Sequence, residues 1–387
     1  MKQSISLVFA AVLAMILCAC GPKQEPVVSE TDQGVLTDDS SYIYRPDDGS
    51  TPPNGAGARI AFAADASGDA KGSNAAAWRG VTTFADSYGF EALDYIAEED
   101  TAESAAAALR QAAESGASMV VCRGEAMAAA LYEIQSNYPT VSYLLLDDEP
   151  HSRDFKSYIT ANNVHCILFQ EEQAGFLAGY AAVMEGYTSL GYLGAEKLPG
   201  VVRYGTGFLQ GAQAAAERQG VEVYLKMWYC NAGNAGEEIT ARMSGWYSEG
   251  TQLILSGGGA LSENCVAAAQ QTGGKVIAAE WDQNSLGEQV LTSAVKCQSL
   301  AVQQALYSFY AGGHSAWTGD KAGQTERVGV STGAVGLTTG EWRMRRFSLE
   351  QYSALYESLR NSTLKAERYS DADILPQTPN VAVDLRS

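Results

Sequence analysis

The sequence predicts an α/β protein of two Rossmann-like lobes, each a parallel sheet flanked by helices, the two joined by a hinge. Three observations predict it. Short apolar runs alternate with Ala-rich helical stretches from Arg59 onward, and strand, helix, strand at that spacing builds parallel sheets covered on both faces. The chain has 387 residues, more than one ordinary core holds. Two stretches, SGASMVVCRGEAMAAAL (115–131) and SEGTQLILSGGGALSENCVAAA (248–269), each read turn, buried strand, Gly, helix, as lobes of similar topology would.

The elements follow in order. Residues 1–19 read as a signal peptide. Lys2 precedes an apolar run, Leu7 to Ala19, that is too short to span a bilayer as a mature helix. Leu17-Cys18-Ala19-Cys20 resembles the bacterial lipobox, which makes Cys20 the lipidated first residue of the mature chain. Residues 20–58 hold that Cys and a flexible tether. The tether is rich in Pro, Ser, Asp and Gly, without apolar periodicity, and spans on the order of 30 Å as a random coil. Strands are expected at 59–64, 91–96, 118–122, 141–147, 164–169, 189–194, 221–229, 252–257 and 275–280. Helices are expected at 76–87, 101–114, 125–136, 171–185, 203–218, 234–248 and 260–271. A helix near 297–312, a Gly-rich strand region at 328–337, a helical stretch at 347–360 and a polar tail after Ser362 complete the chain. The N-terminal lobe is expected to hold 59–165 and about 297–325. The C-terminal lobe is expected to hold 166–296 and about 326–387.

Composition narrows the function. Apolar residues make up 46%, enough for a large core. The net charge of −19 argues against a nucleic-acid binder and against broad attraction to anionic lipid, so contact with the membrane is through the lipid anchor only. Beyond Cys20 lie Cys122, Cys166, Cys230, Cys265 and Cys297, mostly inside apolar runs and with no Cys-x-x-Cys. They read as unpaired core residues, with room for one disulfide. His151, His165 and His314 form no metal spacing, and no Gly-x-Ser-x-Gly elbow appears. No catalytic residue, metal site or cofactor motif is therefore expected. DDEP (147–150) reads as a loop after a buried strand rather than a calcium site.

The loop DASGDAKGSNAAAW (65–78) leaves the first strand and opens a helix. Its Lys71 precedes Gly72, which excludes the Gly-Lys-Ser/Thr order of a phosphate loop. Ligands of open parallel sheets bind beyond the carboxyl ends of strands, so Asp65 and Asn74 are candidate contacts. Ser73 or Asn74 is the expected helix cap. Glu171 and Glu172 open a helix, where acids favour the N-terminal dipole.

Asp65, Gly68, Ser73-Asn74, Trp78 and Gly80 together resemble the first loop of the basic membrane protein (Bmp) family. FQEEQAGFLAGYAAVM (169–184), LGYLGAEKLPGVVRYGTGFLQGA (190–212), EGTQLILSGGGA (249–260), VIAAEWDQ (276–283), VLTSAVK (290–296) and VGVSTGAVGL (328–337) continue the resemblance in order, over roughly 59–340. It implies a fold like that of type I periplasmic binding proteins and a monomeric nucleoside-binding lipoprotein of an ABC importer. Such a protein captures its ligand in an inter-lobe cleft and delivers it to a permease and its ATPase. The ligand contacts it implies are Asp65, Asn74, Gly258, Glu280 (in place of the family's Asp), Asp282 and Lys296. The family's stacking aromatic before Asn74 is Ser73 here, so Trp228 or Trp281 is the expected stacking face. Two other readings stand beside this one. One is a sugar- or signal-binding lipoprotein feeding a receptor, and the other is a secreted nucleoside or glycoside hydrolase.

Overall fold

The structure is a computed structural model that describes residues 42–47, 49–66, 72–99, 101–232 and 236–386. The chain opens with β1 (Arg59–Ala64), α1 (Ser73–Tyr88), β2 (Glu91–Ile96), α2 (Ala102–Glu114), β3 (Met119–Arg123), α3 (Glu125–Ile134), β4 (Ser142–Leu146) and β5 (Val164–Phe169). The second half continues with α4 (Glu171–Glu185), β6 (Ser189–Gly194), α5 (Pro199–Gln219), β7 (Val223–Tyr229), α6 (Glu237–Ser248), β8 (Leu253–Gly257), α7 (Ser262–Thr272), β9 (Lys275–Glu280) and β10 (Val290–Lys296). The chain ends with α8 (Gln298–Tyr310), β11 (Gln324–Val328), β12 (Val335–Leu337), α9 (Leu349–Arg360) and β13 (Val381–Arg386).

The strands form two sheets, in the orders β11-β5-β4-β3-β1-β2 and β12-β10-β9-β8-β6-β7-β13. All pairings are parallel except β10 with β12. Central strands buried on both faces read as near-continuous apolar runs, and β1 (RIAFAA) is buried from Ile60 to Ala64. Each sheet has one point where the strand order reverses, between β1 and β3 and between β6 and β8. In this architecture such switch points are where ligands bind. The chain passes between the sheets at Gln170, at Cys297 and between β11 and β12. Two of these crossings are tied to the third, by Gln170 N–H donating to Val328 O (2.9 Å) and Cys297 N–H to Ala334 O (2.8 Å).

Helices α4 and α5 pack backbone to backbone. A Cβ on Gly179 would lie 2.0 Å from Phe208 O, and one on Gly211 would lie 2.0 Å from Phe176 O. The glycines of FLAG and GFLQG therefore exist for close approach.

Three sequence expectations are corrected here. The stretch after Ser362 is not simply a polar tail, because β13 pairs in parallel with β7 and closes that edge of the second sheet. Gln210 and Gln213 of α5 hold its approach, each bonding both ways, to Glu367 and Asn380 respectively. The described part of the tether is docked on α8. Gln303 accepts from Tyr44 N–H and donates to Tyr42 O, both at 2.9 Å, and Pro53 and Gly55 are buried. Helix α1 is capped by Gly72, with no side-chain cap bond from Ser73 or Asn74, because both lie inside its first turn. The signal segment and Cys20 lie outside the described residues.

Candidate functional site

The carboxyl ends of the two sheets meet, and a chain of polar side chains crosses the junction. Asp65, just past β1, accepts from Asn74 Nδ2 at 3.1 Å. Asn74 Oδ1 accepts from Arg123 Nη1 at 3.2 Å. Arg123, the last residue of β3, pairs with Asp147 at 2.8 Å. Asp147, just past β4, accepts from Gln298 at 2.9 Å and from Lys296 Nζ at 3.0 Å. Lys296, the last residue of β10, also lies 2.8 Å from Glu280 and 3.7 Å from Glu171. Glu171 in turn pairs with Arg203 at 2.7 Å, and Arg203 donates to Ser370 Oγ at 3.2 Å. The Lys296 ammonium sits 5.6 Å from the centre of the Phe169 ring.

Burial makes this network electrostatically demanding. Lys296 is 7% exposed, Glu171 3% and Arg203 4%, and charges so placed require partners. Burial alone would raise the Asp147 carboxyl, but Lys296 and Arg123 overcome it and hold the group well below the usual range. Burial would lower the Lys296 ammonium, but Asp147, Glu280 and Glu171 push it up instead. For Glu280 burial wins over the neighbouring Lys296, and its carboxyl is raised. Asp147 and Glu280 flank Lys296 with backbone φ of 69° and 76°. Such left-handed conformations cost non-glycine residues about 1–3 kcal/mol and persist where the surroundings over-determine them.

Four of the expected contacts, Asp65, Asn74, Glu280 and Lys296, belong to this network. The other four lie outside it. Asp282 is exposed and accepts from Asn284 N–H at 3.0 Å, fixing a turn. Trp281 covers the Gly259 turn, where an added Cβ would lie 2.1 Å from its ring. Gly258 approaches the loop after β6, where a Cβ would lie 2.9 Å from Ala195 Cβ. Trp228 is stacked beneath the Arg242 guanidinium at 3.9 Å, on a strand separated from β9 by β6 and β8. Arg123, Asp147, Glu171, Arg203 and Gln298 escape the sequence reading. Position alone marks two of them, since Arg123 ends a strand and Asp147 immediately follows one. The Glu171-Glu172 pair is more than a favourable helix start, since both are buried and Glu171 is held by Arg203 and Lys296.

Residues 58–369 match the Bmp family, described as ABC transporter substrate-binding protein, PnrA-like. The chain belongs to the Bmp family. This Bmp protein is 28% identical over 234 residues to Basic membrane protein B of Borrelia garinii subsp. bavariensis, covering 58% of this chain and 63% of that one. Basic membrane protein B of Borreliella burgdorferi is 27% identical over 233 residues with the same coverage, so the chain spans 63% of the length of the curated relatives it matches. A solved ABC transporter solute-binding protein from Conexibacter woesei is 18% identical, with a TM-score of 0.63 covering 80% of this chain and 99% of that one. A transcriptional activator of the comK gene from Bacillus halodurans is 16% identical, with a TM-score of 0.65 covering 79% and 99%. These likenesses establish the fold as that of type I periplasmic binding proteins.

Proposed function

We propose that this Bmp protein captures a small polar ligand, a nucleoside, between its lobes and delivers it to an ABC permease at the outer face of the cytoplasmic membrane. The observation that carries this reading is the continuous run Asp65–Asn74–Arg123–Asp147–Lys296–Glu280. It joins strand ends of both sheets and supplies acceptors and donors in one place. Carboxylates accept from hydroxyls and base N–H groups, while Arg123 and Lys296 donate to carbonyl and ring acceptors. A ligand that binds both sets of strand ends stabilises the closed arrangement by its differential affinity for it. The protein acts as a monomer, tethered through a lipid on Cys20. The permease-associated ATPase drives release inward.

A thermal-shift panel of nucleosides tests the ligand class. A ligand at 100 times its Kd adds about 2.7 kcal/mol of stability. Nucleosides should stabilise the protein, and a panel without any shift overturns the nucleoside assignment. Ser73, small and buried where the family has a stacking aromatic, favours a second reading in which hydroxyl-rich sugars are bound, so monosaccharides form the second arm. The Cys20→Ser variant should leave the membrane fraction, and retention there refutes the anchor.

A further inference from the structure

A second site lies at the outer rim of the second sheet. A cavity of about 520 Å³ opens at the carboxyl ends of β7 and β13 and the loop after β6, lined by Lys197, Trp228, Tyr229, Arg242, Leu385 and Arg386 among others. Three of these residues are cationic and none of the described lining residues is acidic, in a chain whose net charge is −19. The Arg242 guanidinium lies 3.9 Å over the Trp228 ring, and Lys197 Nζ lies 6.0 Å over that of Tyr229. Tyr229 is 8% exposed and its hydroxyl has no hydrogen-bond partner. Lys197 and Arg386 pair with Asp373 and Asp384, neither of which lines the cavity. Exposed pairs of that kind are weak and yield to a better anion. Sheet order separates the site from the Lys296 network, since two strands lie between β7 and β9, about 14 Å at the usual spacing.

We propose that this cavity binds a small aromatic acid. Its ring lies on the Arg242–Trp228 stack, on the sheet face that Arg386 shares through its register with Trp228. Its carboxylate or phosphate is held by Lys197 and Arg386. Guanidinium stacked on indole presents a planar, weakly hydrated cation, which suits a ring carrying negative charge. The proposal is independent of the nucleoside assignment, because it uses none of the network residues.

Calorimetric titration of the full chain with phenyl phosphate, benzoate and inorganic phosphate at low salt tests it. Saturable binding of phenyl phosphate or benzoate is expected, at least tenfold tighter than inorganic phosphate. Affinity should fall tenfold or more in Arg242→Gln and in Lys197→Gln. Lys197 is exposed, so its variant keeps the fold and should retain any nucleoside response. No saturable heat with either aromatic acid, equal affinity for inorganic phosphate, or unchanged affinity in Lys197→Gln overturns the proposal.

Discussion

Lys296 faces Asp147, Glu280 and Glu171 at once, and its ammonium has three N–H donors to give. Removing it strands buried carboxylates, which costs about 3–5 kcal/mol where one partner of a buried pair is lost. Lys296→Met should therefore lower urea stability by about that amount at pH 7. Asp147 contributes with a definite pH sign. Its carboxyl is depressed in the folded state, so its stabilisation is complete above the unfolded value of about 3.9 and drains away as pH falls through the folded one. Glu326, beside His165 and Lys321 and held down by them to about 2, adds to the same acid limb. Asp147→Asn should reduce the loss of stability below pH 4 without abolishing it. Glu172 has the opposite sign. It is 2% exposed, one carboxylate oxygen has no hydrogen-bond partner, and burial raises its carboxyl. The protonated form is favoured on folding, so ionisation is a penalty at neutral pH and disappears below the unfolded value of about 4.3. Glu172→Gln should raise the urea midpoint at pH 7, with the gain fading at pH 4. A midpoint equally shifted at both pH values contradicts that assignment.

At the scale of elements, the α4–α5 pair fixes the second lobe and leaves no room for side chains between its backbones. Gly179→Ala or Gly211→Ala forces a methyl into a carbonyl 2.0 Å away. Overpacking of this kind costs about 1–3 kcal/mol or more, and thermal melts should show the loss. Gly245 in α6 has nothing within 4 Å of an added Cβ and no left-handed φ. Gly245→Ala should instead gain about 0.5–1 kcal/mol, from the lower entropy of the unfolded chain and better helix propensity. The same scale shows what patterning can and cannot reveal. Strands such as RIAFAA and helices such as α4 match their expected ranges, because a doubly covered parallel sheet stamps a continuous apolar run on the chain. Strand β13 does not show, because an edge strand with half its residues exposed carries no such run, and its partner β7 lies 158 residues earlier. The docked strap at 42–47 and 49–57 is equally silent, since it is held by the Tyr42 and Tyr44 rings packed on the core and by their backbone bonds to Gln303, and not by a periodic apolar run.

At the scale of the whole molecule, Cys122, Cys166, Cys230 and Cys265 are free thiols, three of them buried, so neither lobe depends on a disulfide among these four. Melting curves with and without reductant should coincide, and a drop on reduction contradicts free thiols. The sequence by itself determined the two-lobed α/β class, the run of strands and helices, and membership in a binding-protein family. Those depend on periodicity and ordered motifs, which are local. It also marked Asp65, Asn74, Glu280 and Lys296, but in one set with Trp228, Gly258, Trp281 and Asp282, which lie outside the network. Only the tertiary structure decided what surrounds them. Arg123, Asp147, Glu171 and Arg203 lie on four different elements and look like ordinary loop or helix-start charges in the chain. They become a network because the carboxyl ends of two sheets are brought face to face, where low dielectric and scarce water force each charge to find its partner.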